Sequence, residues 1–159
     1  MRIAPIIFLL LLVIPFYGCS HRQDEELPLR EAVARYTRLL SEGYAKSDMS
    51  GMQDLVTPNQ AARLDHRLNG LKLAKRRMES QLKELVPLAV TFETDRSTGQ
   101  HAATMRTREV WDSRQVDPAT GAVVKETRRL TYLLDYRFLQ VDDRWLVDDV
   151  VVLEDKPTR

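Results

Sequence analysis

The sequence predicts an α+β fold in which three N-terminal helices pack on a curved four-stranded antiparallel meander. Three observations lead to this prediction. The C-terminal part of the chain alternates apolar and polar residues over two long runs, which is typical of strands with two unlike faces. Short segments of turn-forming residues join these runs. The N-terminal half instead carries apolar residues at helical spacing, so helices can cover one face of the sheet.

Length and composition indicate one globular domain behind a short leader. The chain has 159 residues, of which 43% are hydrophobic and 30% are charged, and its formal net charge is +1. This balance is typical of a folded domain, and a nearly neutral body does not favour nucleic acid as a partner. With a single cysteine, the chain cannot form an intrachain disulfide.

Residues 1–18 resemble the signal peptide of a bacterial lipoprotein. Arg2 precedes an apolar run of about 16 residues, which is shorter than the roughly 20 that span a bilayer, and Gly18 stands directly before Cys19. In such signals the cysteine becomes the lipidated first residue, so we expect Cys19 to anchor the protein in the lipid bilayer of the cell envelope. Ser20, where an aspartate would resemble an inner-membrane retention signal, favours the outer membrane facing the periplasm. The alternative interpretation is an uncleaved membrane anchor.

A tether and a first helix are predicted after the cysteine. Residues 19–27 are polar and are interpreted as a flexible tether, and the folded domain is expected over residues 28–155. Pro28 suits the first turn of a helix. The apolar residues that follow recur at intervals of three and four, and they form one face: Leu29, Val33, Tyr36 and Leu40. A short second helix is expected over residues 51–56.

The third predicted helix begins at a capping sequence. Thr57 can cap it, Pro58 fits its first position, and Gln60 stands where a capping box has Glu or Gln. Its apolar stripe is interrupted by Lys75 but resumes afterwards, and Pro87 is expected to end the helix. The stripe consists of Leu64, Leu68, Leu71, Met78, Leu82 and Leu85.

Four strands are predicted in the second half of the chain. Turn-forming residues separate them, and such short connections favour an antiparallel meander. The predicted strands cover residues 88–94, 102–115, 122–141 and 144–154.

The pairing of the last two strands can be predicted from the turn between them. If Asp142 and Asp143 form a two-residue turn, the register of the hairpin follows. It pairs Val141 with Arg144, Phe138 with Val147, Tyr136 with Asp149, Leu134 with Val151 and Tyr132 with Leu153.

The inward face of this sheet is expected to carry two carboxylates. The matching inward set on the second strand is Ala103, Met105, Thr107, Glu109 and Trp111. Glu109 and Asp149 therefore share a face that is otherwise apolar. Because an unpaired buried carboxylate is costly, each is expected to accept hydrogen bonds or to face a wet cavity.

Two interpretations of this face remain open. In the first, the carboxylates are structural and the aromatic residues belong to the core. In the second, the carboxylates are polar points in an apolar pocket, the usual composition of a small-molecule site. The candidate pocket consists of Trp111, Tyr132, Tyr136, Trp145 and Asp149.

Three local features add a family resemblance to this fold. The first helix opens with residues 30–36, Arg-Glu-Ala-Val-Ala-Arg-Tyr, and a Ser47-Asp48 break precedes the short helix. The last strand follows a turn with residues 143–147, Asp-Arg-Trp-Leu-Val. With the order of elements, these features resemble the nuclear transport factor 2-like α+β cone superfamily over residues 28–154. The long third helix is more similar to lipoprotein-associated branches and to intermembrane-space domains of organelle proteins.

The resemblance implies two function hypotheses, because that superfamily includes isomerases, dehydratases and many non-catalytic modules. The first is a non-enzymatic, membrane-tethered domain that binds a small apolar ligand or a protein partner outside the cytoplasm. The alternative is a small isomerase- or dehydratase-type enzyme that uses Asp149 or Glu109 as general base.

The resemblance also implies a homodimer that forms through the outer face of the sheet. Dimers of this kind are common in the superfamily that the chain resembles. The outer face is expected to combine Thr104, Arg106 and Arg108 with Leu133, Asp135, Arg137 and Leu139.

Motifs of several other chemistries are missing from the sequence. It has no Gly-x-Ser-x-Gly and no glycine-rich phosphate loop, and its three histidines lack the spacing of metal ligands. We therefore expect neither a metal nor a cofactor.

Overall fold

Two α-helices lie on one face of a four-stranded antiparallel sheet. In the computed structural model of the protein, residues 20–157 are described, so the predicted signal peptide and Cys19 lie outside the described residues. Helix α1 spans Ser20–Lys46 and helix α2 spans Pro58–Leu73, with a 3-10 turn at Ser50–Met52 between them. The strands are β1 (Arg77–Thr94), β2 (His101–Val116), β3 (Val123–Val141) and β4 (Arg144–Pro157), and they pair in that order.

The α+β meander is confirmed, but the prediction of three helices is wrong. Residues 20–157 contain two α-helices, and the expected short helix is a 3-10 turn. Helix α1 also covers residues 20–27, which were predicted as a tether, so that Pro28 lies within it. An ion pair between Glu26 and Arg30 (2.9 Å), one helical turn apart, supports this early start.

The largest difference from the prediction is at residues 77–87, which belong to a strand and not to a helix. Helix α2 ends at Leu73, because Lys75 takes a left-handed conformation (φ 53°) and β1 follows. Two β-bulges in β1, at Lys83 and Leu88, each insert one residue. Leu82 and Leu85 are therefore three positions apart although both lie on the inward face, and this spacing imitates a helix. Pro87 is tolerated because β1 is an edge strand.

The core lies between the helices and the inward face of the sheet. The inward set predicted on β2 is confirmed, since Ala103, Met105, Thr107 and Glu109 are all buried. The helices and the last two strands contribute most of the remaining core, including Leu29, Val33, Tyr36, Leu64, Leu68, Tyr136, Phe138 and Val147.

The hairpin of β3 and β4 begins in the predicted register and then shifts. Val141 pairs with Arg144 and Phe138 with Val147, as predicted. A bulge then leaves Asp148 without a partner in the ladder. The predicted pairs beyond the bulge are wrong: Tyr136 opposes Val150 and Leu134 opposes Val152. A second bulge, at Leu153, then places Tyr132 opposite Asp155.

The bulge in β4 lies where the segment before α2 meets the sheet. Val147 donates its N–H to the Leu55 carbonyl (2.9 Å) and accepts at its own carbonyl from the Thr57 N–H (3.0 Å). The Thr57 hydroxyl donates to Asp148 Oδ1 at 2.7 Å. These contacts hold β4 at the bulge against the segment before α2. As a result Asp149 opposes Arg137 instead of Tyr136.

Candidate functional site

A cavity of about 530 Å³ lies between the two helices and the inward face of the sheet. Its walls are mainly aliphatic and aromatic. Arg67 of α2 and Val152 of β4, both exposed, line its opening to solvent. The helices contribute Tyr36, Leu40, Tyr44, Arg67, Gly70 and Leu71, and the strands contribute Met78, Ser80, Glu109, Trp111, Ser113, Tyr132, Leu134, Tyr136, Val150 and Val152.

Glu109 is the buried carboxylate of this cavity, and three donors hold it. Its side chain is on the inward face of β2, and the residue is 1% exposed. Oε1 accepts from the hydroxyls of Tyr136 (2.7 Å) and Thr107 (3.1 Å), and Oε2 accepts from the indole N–H of Trp111 (2.7 Å). Burial raises the pKa of Glu109 above its ordinary value, although the three hydrogen bonds act in the opposite direction.

Two tyrosines stand next to this carboxylate. The rings of Tyr36 and Tyr136 meet edge to face, with centroids 5.6 Å apart. Gln60 of α2 donates its amide to the Tyr36 hydroxyl at 2.7 Å. Burial raises the pKa of Tyr36 to about 12, and burial with the nearby Glu109 charge raises the pKa of Tyr136 well above its usual value. Both hydroxyls therefore stay protonated at neutral pH.

The opening of the cavity carries a cation and a glycine. Arg67 is exposed, and its positive charge acts on the hydroxyl of Tyr44. Burial raises the pKa of Tyr44, and the charge of Arg67 opposes that rise. At Gly70, a Cβ atom would meet no other atom within 4 Å, so neither packing nor a positive φ requires a glycine there.

The family of the chain follows from a sequence comparison. A family model described as the YvbJ NTF2-like domain matches residues 29–151. The chain therefore belongs to this NTF2-like family. No curated protein matches the sequence. The NTF2-like resemblance predicted from the sequence is thus confirmed. The NTF2-like fold includes both enzymes and non-enzymes, so membership does not assign a reaction.

A solved structure agrees with this assignment at the level of the fold. The intermembrane space region of the chloroplast protein ARC6 is similar, with a TM-score of 0.61 and 15% sequence identity. The match covers 82% of this chain and 95% of that chain. At such low identity the likeness shows the fold alone.

The NTF2-like domain brings together only part of the predicted pocket. Trp111, Tyr132 and Tyr136 line the cavity with Glu109. Trp145 packs instead against Phe92, with ring centroids 6.1 Å apart.

Asp149 lies elsewhere in the NTF2-like domain. It forms an ion pair with Arg63 of α2 and is not part of the cavity wall. Its predicted position beside Tyr136 is wrong, because the bulge at Asp148 moves Val150 into that place.

Sequence reasoning missed several residues of the cavity. Tyr36 and Leu40 were predicted only as an apolar helix face. Val150 and Val152 were not recognised as inward residues, because a one-residue shift exchanges the two faces of a strand. The sequence did not mark Arg67 as a site residue, because charged residues commonly lie beside the apolar stripe of a helix.

Neither a metal centre nor a membrane-spanning helix is found in residues 20–157. No three His, Cys, Asp or Glu side chains of this described part are grouped to hold a metal ion. None of its helices is both long and apolar enough to cross a membrane.

Proposed function

We propose that this NTF2-like domain is a non-enzymatic binding module that holds a small, largely apolar molecule in its cavity. The observation that carries the proposal is the cavity itself, a space of about 530 Å³ between apolar and aromatic walls. This volume lies in the range of ligand pockets, and a few fixed polar groups among apolar walls are typical of them. Covering such walls with an apolar molecule stabilises a complex by roughly 25 cal/mol per Å² removed from water.

Gly70 gives the proposal independent support. A glycine inside a helix costs about 1 kcal/mol relative to alanine. Here the surroundings leave space for a side chain, and the backbone does not require the glycine. A side chain at this position would lie in the wall of the cavity. Gly70 weakens its own helix, and the need to keep the entrance of the cavity open is a physical reason for a glycine at this position.

A substitution series at Gly70 tests the proposal. The full-length protein, reconstituted in lipid nanodiscs, is titrated with N-phenyl-1-naphthylamine, a neutral apolar probe that brightens on leaving water. The signal of protein-free nanodiscs is subtracted. Gly70→Trp should weaken binding by about tenfold, since an indole in the entrance must be displaced.

Gly70→Ala is the matched control, because it removes the glycine without filling the entrance. It should bind the probe as the wild type does. Equal binding by the tryptophan and alanine variants, or no binding by the wild type, would overturn the proposed function.

The enzyme hypothesis is a second candidate that one observation favours. Glu109 lines the cavity with a raised pKa, as a general base requires. However, three fixed donors already occupy its oxygens. Asp149, the other candidate base, is paired with Arg63 outside the cavity wall. Deuterium incorporation from D₂O into an added ketone, lost in Glu109→Gln, would support an isomerase- or dehydratase-type enzyme.

We also propose that Cys19 tethers the module to the cell envelope, at the outer membrane facing the periplasm. The support is the apolar leader ending in Gly18-Cys19 and followed by a polar segment. Mass spectrometry of the mature protein should find a lipid-modified N-terminal Cys19. A free thiol on that residue, detected by labelling, contradicts the anchor.

A further inference from the structure

We propose that the occupant of the cavity is an amphipathic monoanion, with its charged head at Arg67 and its hydrocarbon body among the apolar walls. This inference rests on the proposed function and adds the chemical class of the ligand. It begins from the one strongly charged group that lines the opening of the cavity in the described part of the chain, Arg67.

Arg67 differs from the preceding arginine of α2 in its partners. Arg63, one turn earlier, is paired with Asp149. Within residues 24–157, Arg67 belongs to no ion pair, and its charge acts on the neutral hydroxyl of Tyr44. A guanidinium has five N–H donors, so most of them remain for an oxyanion.

The carboxyl group in the lining of the cavity, Glu109, does not oppose an anionic head. Glu109 is 1% exposed, and its oxygens are already bound by three side chains of the sheet. The charge of Arg67 acts on the hydroxyls of Tyr44 and Tyr36, whereas Glu109 acts on Tyr36 and Tyr136. Glu109 is therefore held by groups of the sheet, whereas the charge of Arg67 acts on tyrosines of α1.

The same arrangement disfavours a cationic ligand. An ammonium head would find no accessible carboxylate in the cavity, because Glu109 is enclosed by its donors. It would also meet Arg67 at the entrance. The walls near that entrance, which include Leu40, Leu71 and Val152, suit a hydrocarbon chain that follows the head inward.

Three amphiphiles of equal chain length test the inference. Decanoate, decanol and decylamine are titrated calorimetrically into the full-length protein in lipid nanodiscs at neutral pH, with protein-free nanodiscs as reference. Decanoate should bind about fivefold more tightly than decanol, the contribution of one partly exposed ion pair. Decylamine should bind more weakly than decanol.

Variants locate the head group. Arg67→Gln should remove the preference for decanoate while decanol binds as before, which also shows that the variant is folded. Lys72→Gln, which removes a positive charge from the same helix outside the cavity, should keep the preference.

The possible results distinguish a failure of the anionic head group from a failure of the proposed function. If decanol and decanoate bind the wild type equally, or if the preference survives in Arg67→Gln, the anionic head at Arg67 is wrong and the proposed function stands. If none of the three amphiphiles binds, both are overturned.

Discussion

Glu109 is a carboxylate that the sheet holds almost entirely out of water. Such a group is stable only because Tyr136, Trp111 and Thr107 donate to it. Burial affects the pKa of Glu109 more than these hydrogen bonds do, so the pKa is raised. The folded protein therefore binds this proton more tightly than the unfolded chain does.

A pH dependence of stability follows from this residue. Its contribution to the free energy of unfolding is fully present below the ordinary pKa of 4.5 and is lost as pH rises through the raised pKa. Since the amide in Glu109→Gln does not titrate, the stability of the wild type relative to the variant should fall as pH rises from 4.5 through the raised pKa. Urea denaturation at several pH values measures this difference.

An exposed glutamate provides the control for that experiment. Glu31 lies on the exposed side of α1, so Glu31→Gln should differ from the wild type by a nearly constant amount. A constant difference for Glu109→Gln as well would show that burial does not raise the pKa of this carboxyl.

At the scale of single residues, sequence patterns predicted part of the site correctly. Strict alternation along β2 placed Glu109 and Trp111 inward, because no bulge interrupts that strand between Ala103 and Trp111. Alternation failed for Asp149, since an inserted residue cannot be seen in a pattern of period two. The electrostatic interaction of Arg67 with Tyr44 is between two helices, and no local pattern encodes such an interaction.

At the scale of secondary-structure elements, Thr57 joins the start of α2 to the bulge of β4. Its hydroxyl oxygen accepts from the N–H of Gln60 (3.4 Å), and the same hydroxyl donates to Asp148 (2.7 Å). Thr57→Ala removes both the helix cap and the link to the strand.

This substitution should lower the free energy of unfolding by about 2 kcal/mol, the sum of a lost cap and a lost hydrogen bond to a charged group. Urea denaturation measures the change. Thr57→Ser keeps the hydroxyl and should cost well under half as much. Equal losses in the two variants would mean that the buried methyl group of Thr57, and not its hydroxyl, stabilises this junction.

The elements differed in how well the sequence predicted them. The cap at Thr57 was predicted correctly, because its hydroxyl accepts from the nearby N–H of Gln60. The reciprocal contact of a capping box is not formed, since the Gln60 side chain donates to Tyr36 and the Thr57 N–H donates to Val147. The end of α2 was predicted too late, because two bulges gave β1 a helix-like spacing of apolar residues. Pairing with β2 decides the conformation of residues 77–87, and the local sequence does not contain that information.

For the molecule as a whole, the outer face of the sheet is the surface that we predict to form a homodimer. Its charges are largely paired within the chain: Arg106 makes two hydrogen bonds to Asp135 (2.8 and 2.9 Å), and Arg108 contacts Glu84 (3.0 Å). Burying paired charges in an interface costs less free energy than burying unpaired ones. The half-buried Leu133 opposes Arg108 on the same face and offers an apolar contact.

Sedimentation equilibrium of the full-length protein in detergent should show a mass that rises with concentration. Leu133→Glu should weaken association by at least about tenfold, because it introduces an unpaired charge at the interface. Leu73→Glu, at an exposed site on α2, is the control and should leave association unchanged. A monomer mass at every concentration would exclude the homodimer.

The overall architecture was predicted better than its details. Short turns required neighbouring strands to pair in sequence order, and this gave the meander and the family resemblance. The cavity volume was beyond the reach of sequence, because it depends on how far α1 and α2 stand from the sheet.

The bulge at Asp148 has a consequence for how the protein can vary. Between Trp145 and Val152, Asp148 is the residue of β4 that has no partner on β3. Loss of its codon would leave every neighbouring partner in place and would remove only the tie to Thr57. A deletion at this position would therefore shorten the chain by one residue and would keep Val150 on the inward face, opposite Tyr136.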